Sequence, residues 1–211
     1  MRAYMKHYFN LFLILNSITL LTLFQSCSSS KIHPVNKEIV SKRLEIPGVS
    51  VLPPPGLGWY YQIDNPNRIF FFKEGKYKTQ TLFASVSLHK LPATDSEQEF
   101  LSELKREIWQ AESNSKFEVI FQEEIRSNEK QSNCARLNRI YKEYDSRFLP
   151  RSVNYFLIKD ICLTCKHPGN QEIGVSVCLS ERSWPGREFK DFEKISDYFI
   201  ANARFEKVDI E

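Results

Sequence analysis

Several things are missing from this sequence, and each lack removes a class of function. Charge of one sign is the first. There are 29 lysines and arginines against 26 acids, a formal charge of +3. Two of the positive charges, Arg2 and Lys6, lie in the first 26 residues, so the rest carries 27 basic and 26 acidic groups. That balance leaves no basic footprint for nucleic acid and no polybasic segment for an anionic membrane. A long apolar run is also missing. Phe9 to Phe24 is interrupted by Asn10, Asn16, Ser17, Thr19 and Thr22, whereas a spanning helix needs roughly 20 predominantly apolar residues. There is no internal repeat and no low-complexity block. Histidine is scarce, and only His89 and His167 lie in the presumptive domain, one ending a strand and one in a turn. Both read as surface residues.

What is present begins at the N-terminus. Arg2 and Lys6 precede the short apolar run, and small polar residues follow it, the pattern of a secretory signal. The exit reads Leu23-Phe24-Gln25-Ser26-Cys27-Ser28-Ser29-Ser30, which resembles the lipobox of bacterial lipoproteins. The resemblance implies cleavage before Cys27 and a diacylglyceryl group on its thiol. Ser26 supplies the small residue at the cut, while Phe24 and Gln25 depart from the usual pattern, so the lipobox is a relaxed one. One myristoyl-sized chain binds membranes only marginally, at about 10⁴ M⁻¹, and two or more anchor stably. Ser28 occupies the position where an aspartate retains many lipoproteins at the inner membrane, which favours the outer membrane. Cys27 is the expected lipidation site.

Hydrophobic residues make up 42% and charged residues 26%, enough to build one globular domain. Residues 27–45 are polar and read as a flexible tether, with a domain over 46–206 and a tail at 207–211. Strands are expected at Val49–Leu52, Trp59–Ile63, Arg68–Lys73 and Thr81–His89. The last alternates Leu82, Ala84, Val86 and Leu88 on one face. Thr94-Asp95-Ser96-Glu97 has the spacing of a capping box and opens a helix to about Glu112, with Phe100, Leu104, Ile108 and Ala111 as its buried stripe. Phe117 to Ile125 alternates again, with Phe117, Val119 and Phe121 together. Three more strands fall at about 134–144, 153–166 and 172–180, and a helix at 188–202 closes the domain. Both faces of 153–166 are partly apolar, so both are expected to be covered. The architecture expected is α+β: an α-β-α sandwich, with a mostly antiparallel sheet and a helix layer on each face.

This element order, with Gly48-Val49-Ser50-Val51-Leu52-Pro53 followed by Gly58-Trp59, resembles the PsbP-like fold. That superfamily includes the Mog and PsbP proteins and bacterial lipoproteins of the DcrB and LpqN types. The resemblance covers roughly residues 46–206. It implies a binding or accessory protein more than an enzyme and carries over no functional residues.

Four further cysteines, Cys134, Cys162, Cys165 and Cys178, lie in the domain. Cys162-Leu163-Thr164-Cys165-Lys166-His167 is one residue too long for the haem-attachment pattern. As zinc ligands Cys162 and Cys165 point to opposite sides of a strand, so neither a metal nor another cofactor is expected. Matching core faces across the turn at His167–Asn170 sets Cys165 opposite Ile173 and Cys162 opposite Ser176. Cys162 and Cys178 are then diagonal neighbours, about 7–8 Å apart, and bridges need less than about 7 Å. Buried free thiols are the expectation, with disulfides as the alternative in an oxidising compartment. Gly174-Val175-Ser176-Val177-Cys178 lacks the last glycine and the elbow of a hydrolase motif. Trp59 and Trp184, near Gly/Pro-rich loops, are candidates to line a ligand or partner groove, although packing is the commoner use of such residues. The reading is a non-catalytic binding or accessory lipoprotein, held at the membrane by its anchor, with an unidentified protein or small-ligand partner. The rivals are an enzyme of unrecognised chemistry and a surface-adhesion lipoprotein.

Overall fold

The computed structural model describes residues 31–77, 79–94, 96–108, 116–126, 133–144 and 153–206. The chain divides at Lys31, and the compact unit described is Ile32–Glu211. Its centre is an eight-stranded antiparallel sheet. The strands are β1 (His33–Pro34), β4 (Tyr60–Asn65), β5 (Arg68–Glu74), β6 (Thr81–Lys90), β7 (Phe117–Arg126), β8 (Cys134–Glu143), β9 (Phe156–His167) and β10 (Asn170–Ser183). Their spatial order is β1-β4-β5-β6-β10-β9-β8-β7. Two meanders, β4 to β6 and β7 to β10, therefore meet where β10 pairs with β6 over ten residue pairs from Ile173↔Lys90 to Arg182↔Thr81. A second sheet holds β2 (Leu44–Ile46), β3 (Val49–Val51) and β11 (Arg204–Phe205), in the order β11-β3-β2.

One face of the large sheet builds the main core. Ile69 and Phe71 of β5, Leu82, Ala84 and Val86 of β6, and Val175, Val177 and Leu179 of β10 are all buried on it. The small sheet and α2 (Phe192–Ala201) cover them, and Phe71 meets Phe199 of α2 edge-on at 5.6 Å. Arg43 ties this layer together. Its guanidinium donates to Ser50 Oγ at 2.9 Å, to the Ser50 carbonyl at 2.7 Å and to the Asn202 carbonyl at the end of α2. The opposite face carries a smaller cluster, in which Phe100 and Leu104 of the first helical segment pack on Ala135 and Leu137 of β8 and on Leu91. That segment is α1 (Glu97–Glu103), continued by a π-helical turn over Leu104–Ile108.

The expected α-β-α sandwich is not what forms. The described residues are mostly strand, with two short helices and a large antiparallel sheet, so no helix layer covers each face. The physical reason is length: β9 and β10 run 12 and 14 residues, and helices of 7 and 10 residues shield only part of such a surface. On the main-core face the small sheet completes the cover. Several local readings also move. Residues 33–45, expected within the tether, are folded: His33 and Pro34 pair with Tyr61 and Tyr60, and Val35 and Leu44 are buried. The cap of α1 is Ser96, whose hydroxyl accepts from the Glu99 N–H at 3.2 Å, not Thr94. In β7 the alternation breaks at a bulge between Val119 and Phe121, and Phe121 is exposed. Ala111 lies outside the described residues.

Candidate functional site

The four domain cysteines form two disulfides. Cys134 is bonded to Cys165, and Cys162 to Cys178. Each pair is directly opposite in register, with Cα separations of 4.0 and 4.1 Å. Because successive side chains of a strand alternate between faces, Cys165 bonds to β8 through one face of β9, and Cys162 bonds to β10 through the other. Three neighbouring strands are thus stapled from both sides. The expectation of free thiols is corrected by the register: beyond a β-bulge between Asn170 and Gly174, β10 sets Cys178 opposite Cys162, where matching of core faces had set Ser176.

Two open clefts lie at the end of the sheet where the β4–β5 and β9–β10 turns gather. The first, of about 450 Å³, is lined by Asn67, His89, Lys90, Leu91, Asn170 and Glu172 among others. His89 lies across from Gly174, where a Cβ would stand 2.2 Å from its Nε2. Glycine is what lets the imidazole lie flat on β10. Burial lowers the pKa of His89, and Nε2 is enclosed with no hydrogen-bond partner. The cleft exposes two carboxamides and the opposite charges of Lys90 and Glu172, with the His89 ring in its wall. The second cleft, also about 450 Å³, runs along Glu45 to Ser50 with Pro66 and Glu206. Behind it stands His167, which is fully buried rather than at the surface. Its Nδ1 accepts from the Gly169 N–H at 3.0 Å, so the proton of the neutral ring sits on Nε2, facing the Pro47–Gly48 turn. Burial lowers the pKa of His167, with Pro47 acting the other way. This imidazole is a wedge between the two sheets.

A buried acid holds the opposite end. Glu181 is fully buried, and its Oε1 accepts from the Phe189 N–H at 2.6 Å, fixing the loop that leads into α2. Oε2 has no hydrogen-bond donor. Burial raises the Glu181 pKa, and the Phe189 bond only partly opposes it. A carboxyl whose folded pKa is raised binds its proton more tightly in the native state, so stability falls as pH rises from about the unfolded value of 4.5 through the folded one. Glu181→Gln is therefore expected to gain stability relative to the parent as pH increases above that point. Urea midpoints of both proteins between acidic and neutral pH check this, and parallel curves would refute it.

The second face of the large sheet grades from aromatic to charged. Tyr60, Phe72 and Phe83 are successive cross-strand partners, followed in the same row by Ser180, Asp160 and Arg139. Tyr60 stacks on Phe72 at 5.4 Å, and Phe70 lies 5.2 Å from Phe83. At the charged end Arg139 and Asp160 pair at 2.8 Å, both largely buried. Burial, with Asp160 beside it, holds the Tyr141 hydroxyl far above its ordinary pKa.

Trp59 is 1% exposed and belongs to the main core, its Nε1 donating to the Pro55 carbonyl at 3.1 Å. Trp184 is half-buried and stacks on Tyr77 at 5.7 Å. Neither lines the two clefts. Cys27 lies outside the described residues. Among the described residues no three His, Cys, Asp or Glu side chains gather in a metal-binding group, and no helix is long and apolar enough to cross a membrane. Sequence reasoning placed His89 and His167 at the surface. The one signal in the sequence that pointed elsewhere is that each lies at the end of an apolar strand; the glycine each faces is set by the fold. No protein-family model matches the chain, and no curated protein matches it in sequence.

Proposed function

We propose that this protein is a lipoprotein of the bacterial cell envelope, anchored by acyl chains on Cys27, favouring the outer membrane, whose β-rich domain binds a partner or small ligand without chemistry of its own. The observation that carries the reading is the use of the cysteines. Four are consumed in pairs within the domain, which suits an oxidising, exported setting. Cys27, behind a signal-like segment, is the one left for attachment. The reading rests on the lipobox and the disulfides and draws nothing from the PsbP-like resemblance. The cleft beside His89, with its polar groups of both charges, is where a small polar ligand fits.

The anchor has a direct test. The N-terminal peptide of the native protein is expected to begin at Cys27 and to carry the mass of two or three acyl chains. Cys27→Ala is expected to move the protein from the detergent phase to the aqueous phase. An unacylated native N-terminus would exclude the anchor. Isothermal titration of the domain with small polar metabolites, set against His89→Ala, tests the cleft separately.

A further inference from the structure

Four aromatic rings, Tyr60, Phe70, Phe72 and Phe83, share one face of β4, β5 and β6. Tyr60 is 43% exposed and Phe83 40%. Next to them the chain enters the fold: β1 is the edge strand on β4, with Pro34 opposite Tyr60, and exposed Ile32 just precedes it. Only six peptide units separate Cys27 from His33, a contour of at most about 20 Å. An acylated Cys27 would hold this edge of the domain within that distance of the lipid. Arg68 and Glu74, both on the same face of β5, bracket the rings. The patch therefore has no charge excess, and its attraction is apolar and aromatic. Tyr60 brings the amphipathic ring that favours the headgroup level of a bilayer, and the phenylalanines beside it supply the apolar area that such a surface buries.

We infer that the aromatic face of β4–β6 is a membrane-docking surface: Tyr60, Phe72 and Phe83 rest in the interface of the bilayer that holds the anchor. The inference rests on Cys27 being that anchor. Docking adds an attachment point to the acyl chains and fixes the domain's orientation. The β4–β6 face is turned to the lipid, and α2, on the other side of the sheet, is turned away.

Hydroxyl-radical footprinting read by mass spectrometry tests it. Lipidated protein in phosphatidylethanolamine/phosphatidylglycerol liposomes is compared with the Cys27→Ala chain in solution. Tyr198 on α2 is the internal control, since at 42% its exposure matches that of Tyr60. Oxidation of Tyr60 and Phe83 is expected to fall at least about fivefold on liposomes, as befits rings withdrawn into the interface, with Tyr198 unchanged. The protection should persist at high salt, because it does not depend on charge. Equal oxidation in both settings, or equal protection of all three residues, would overturn the inference. Protection of Tyr60 and Phe83 already present in the soluble chain, together with dimers in sedimentation, would assign the face to a second copy and overturn it too. If the native N-terminal peptide carries no acyl chain, the anchor reading fails by that measurement alone. The Cys27 thiol coupled to a maleimide lipid then puts the docking question by itself, with the same outcomes deciding it.

Discussion

Replacing Cys162 and Cys178 together by alanine is expected to cost the domain about 3 kcal/mol, and replacing Cys134 and Cys165 nearly 4 kcal/mol, from loop-closure entropy over separations of 16 and 31 residues. In a domain of this size each kcal/mol lowers Tm by roughly 2–4 °C, so either change should be visible as a drop of about 6 °C or more. The two bridges share β9 and emerge from its opposite faces, so losing both frees the strand from β8 and from β10 at once. Thermal melts of the oxidised protein, of each paired variant and of the reduced protein measure this. A reduced protein that melts with the oxidised one would show that the bridges do not stabilise the fold. Alkylation under denaturing, non-reducing conditions gives an independent check. None of the four domain cysteines should react.

Gly48→Ala is expected to be the most damaging single methyl addition in the small sheet. Gly48 has φ +69°, and a Cβ there would stand 2.0 Å from His167 Nε2, 2.6 Å from its Cε1 and 3.1 Å from the Glu206 carbonyl. His167 has nowhere to retreat, being fully buried and held at Nδ1 by Gly169. Overpacking of this kind costs about 1–3 kcal/mol, and a left-handed conformation for an L-residue about 1–2 kcal/mol more. A loss of about 2–5 kcal/mol by denaturant titration is the expected result. The steric part should shrink in a His167→Ala background, since the two residues are in contact. If Gly48→Ala costs the same in both backgrounds, the imidazole is not the wedge described.

The legible parts of this chain were those set by local pattern. The alternation of Thr81–His89 announced a strand, and Leu82, Ala84 and Val86 are its fully buried face. The helix expected at 188–202 forms over Phe192–Ala201, with Phe192 and Phe199 buried. Where two local solutions were equally good, the pattern had no vote. Thr94…Glu97 and Ser96…Glu99 have the same capping spacing. The structure uses Ser96, while the carbonyl of Thr94 accepts from Lys166 Nζ at 2.9 Å and stays in the preceding loop. Of the proposed site, the lipobox-like run ending at Cys27 can be read from sequence because it is contiguous. The His89 cleft and the aromatic face of β4–β6 cannot, because each is assembled from residues far apart in sequence.

The sequence by itself determined that β9 and β10 are strands, that a turn at His167–Asn170 joins them, and which residues of each share a face. Only the tertiary structure decided which residues stand opposite. Side-chain alternation has a period of two. Beyond the bulge between Asn170 and Gly174, Cys162 stands opposite Cys178, two residues on from the Ser176 that matching of core faces gives, and a difference of two leaves every side chain on its own face. A pattern with period two is blind to a shift of two. The disulfides therefore lay beyond the reach of periodicity, though they follow at once from the register.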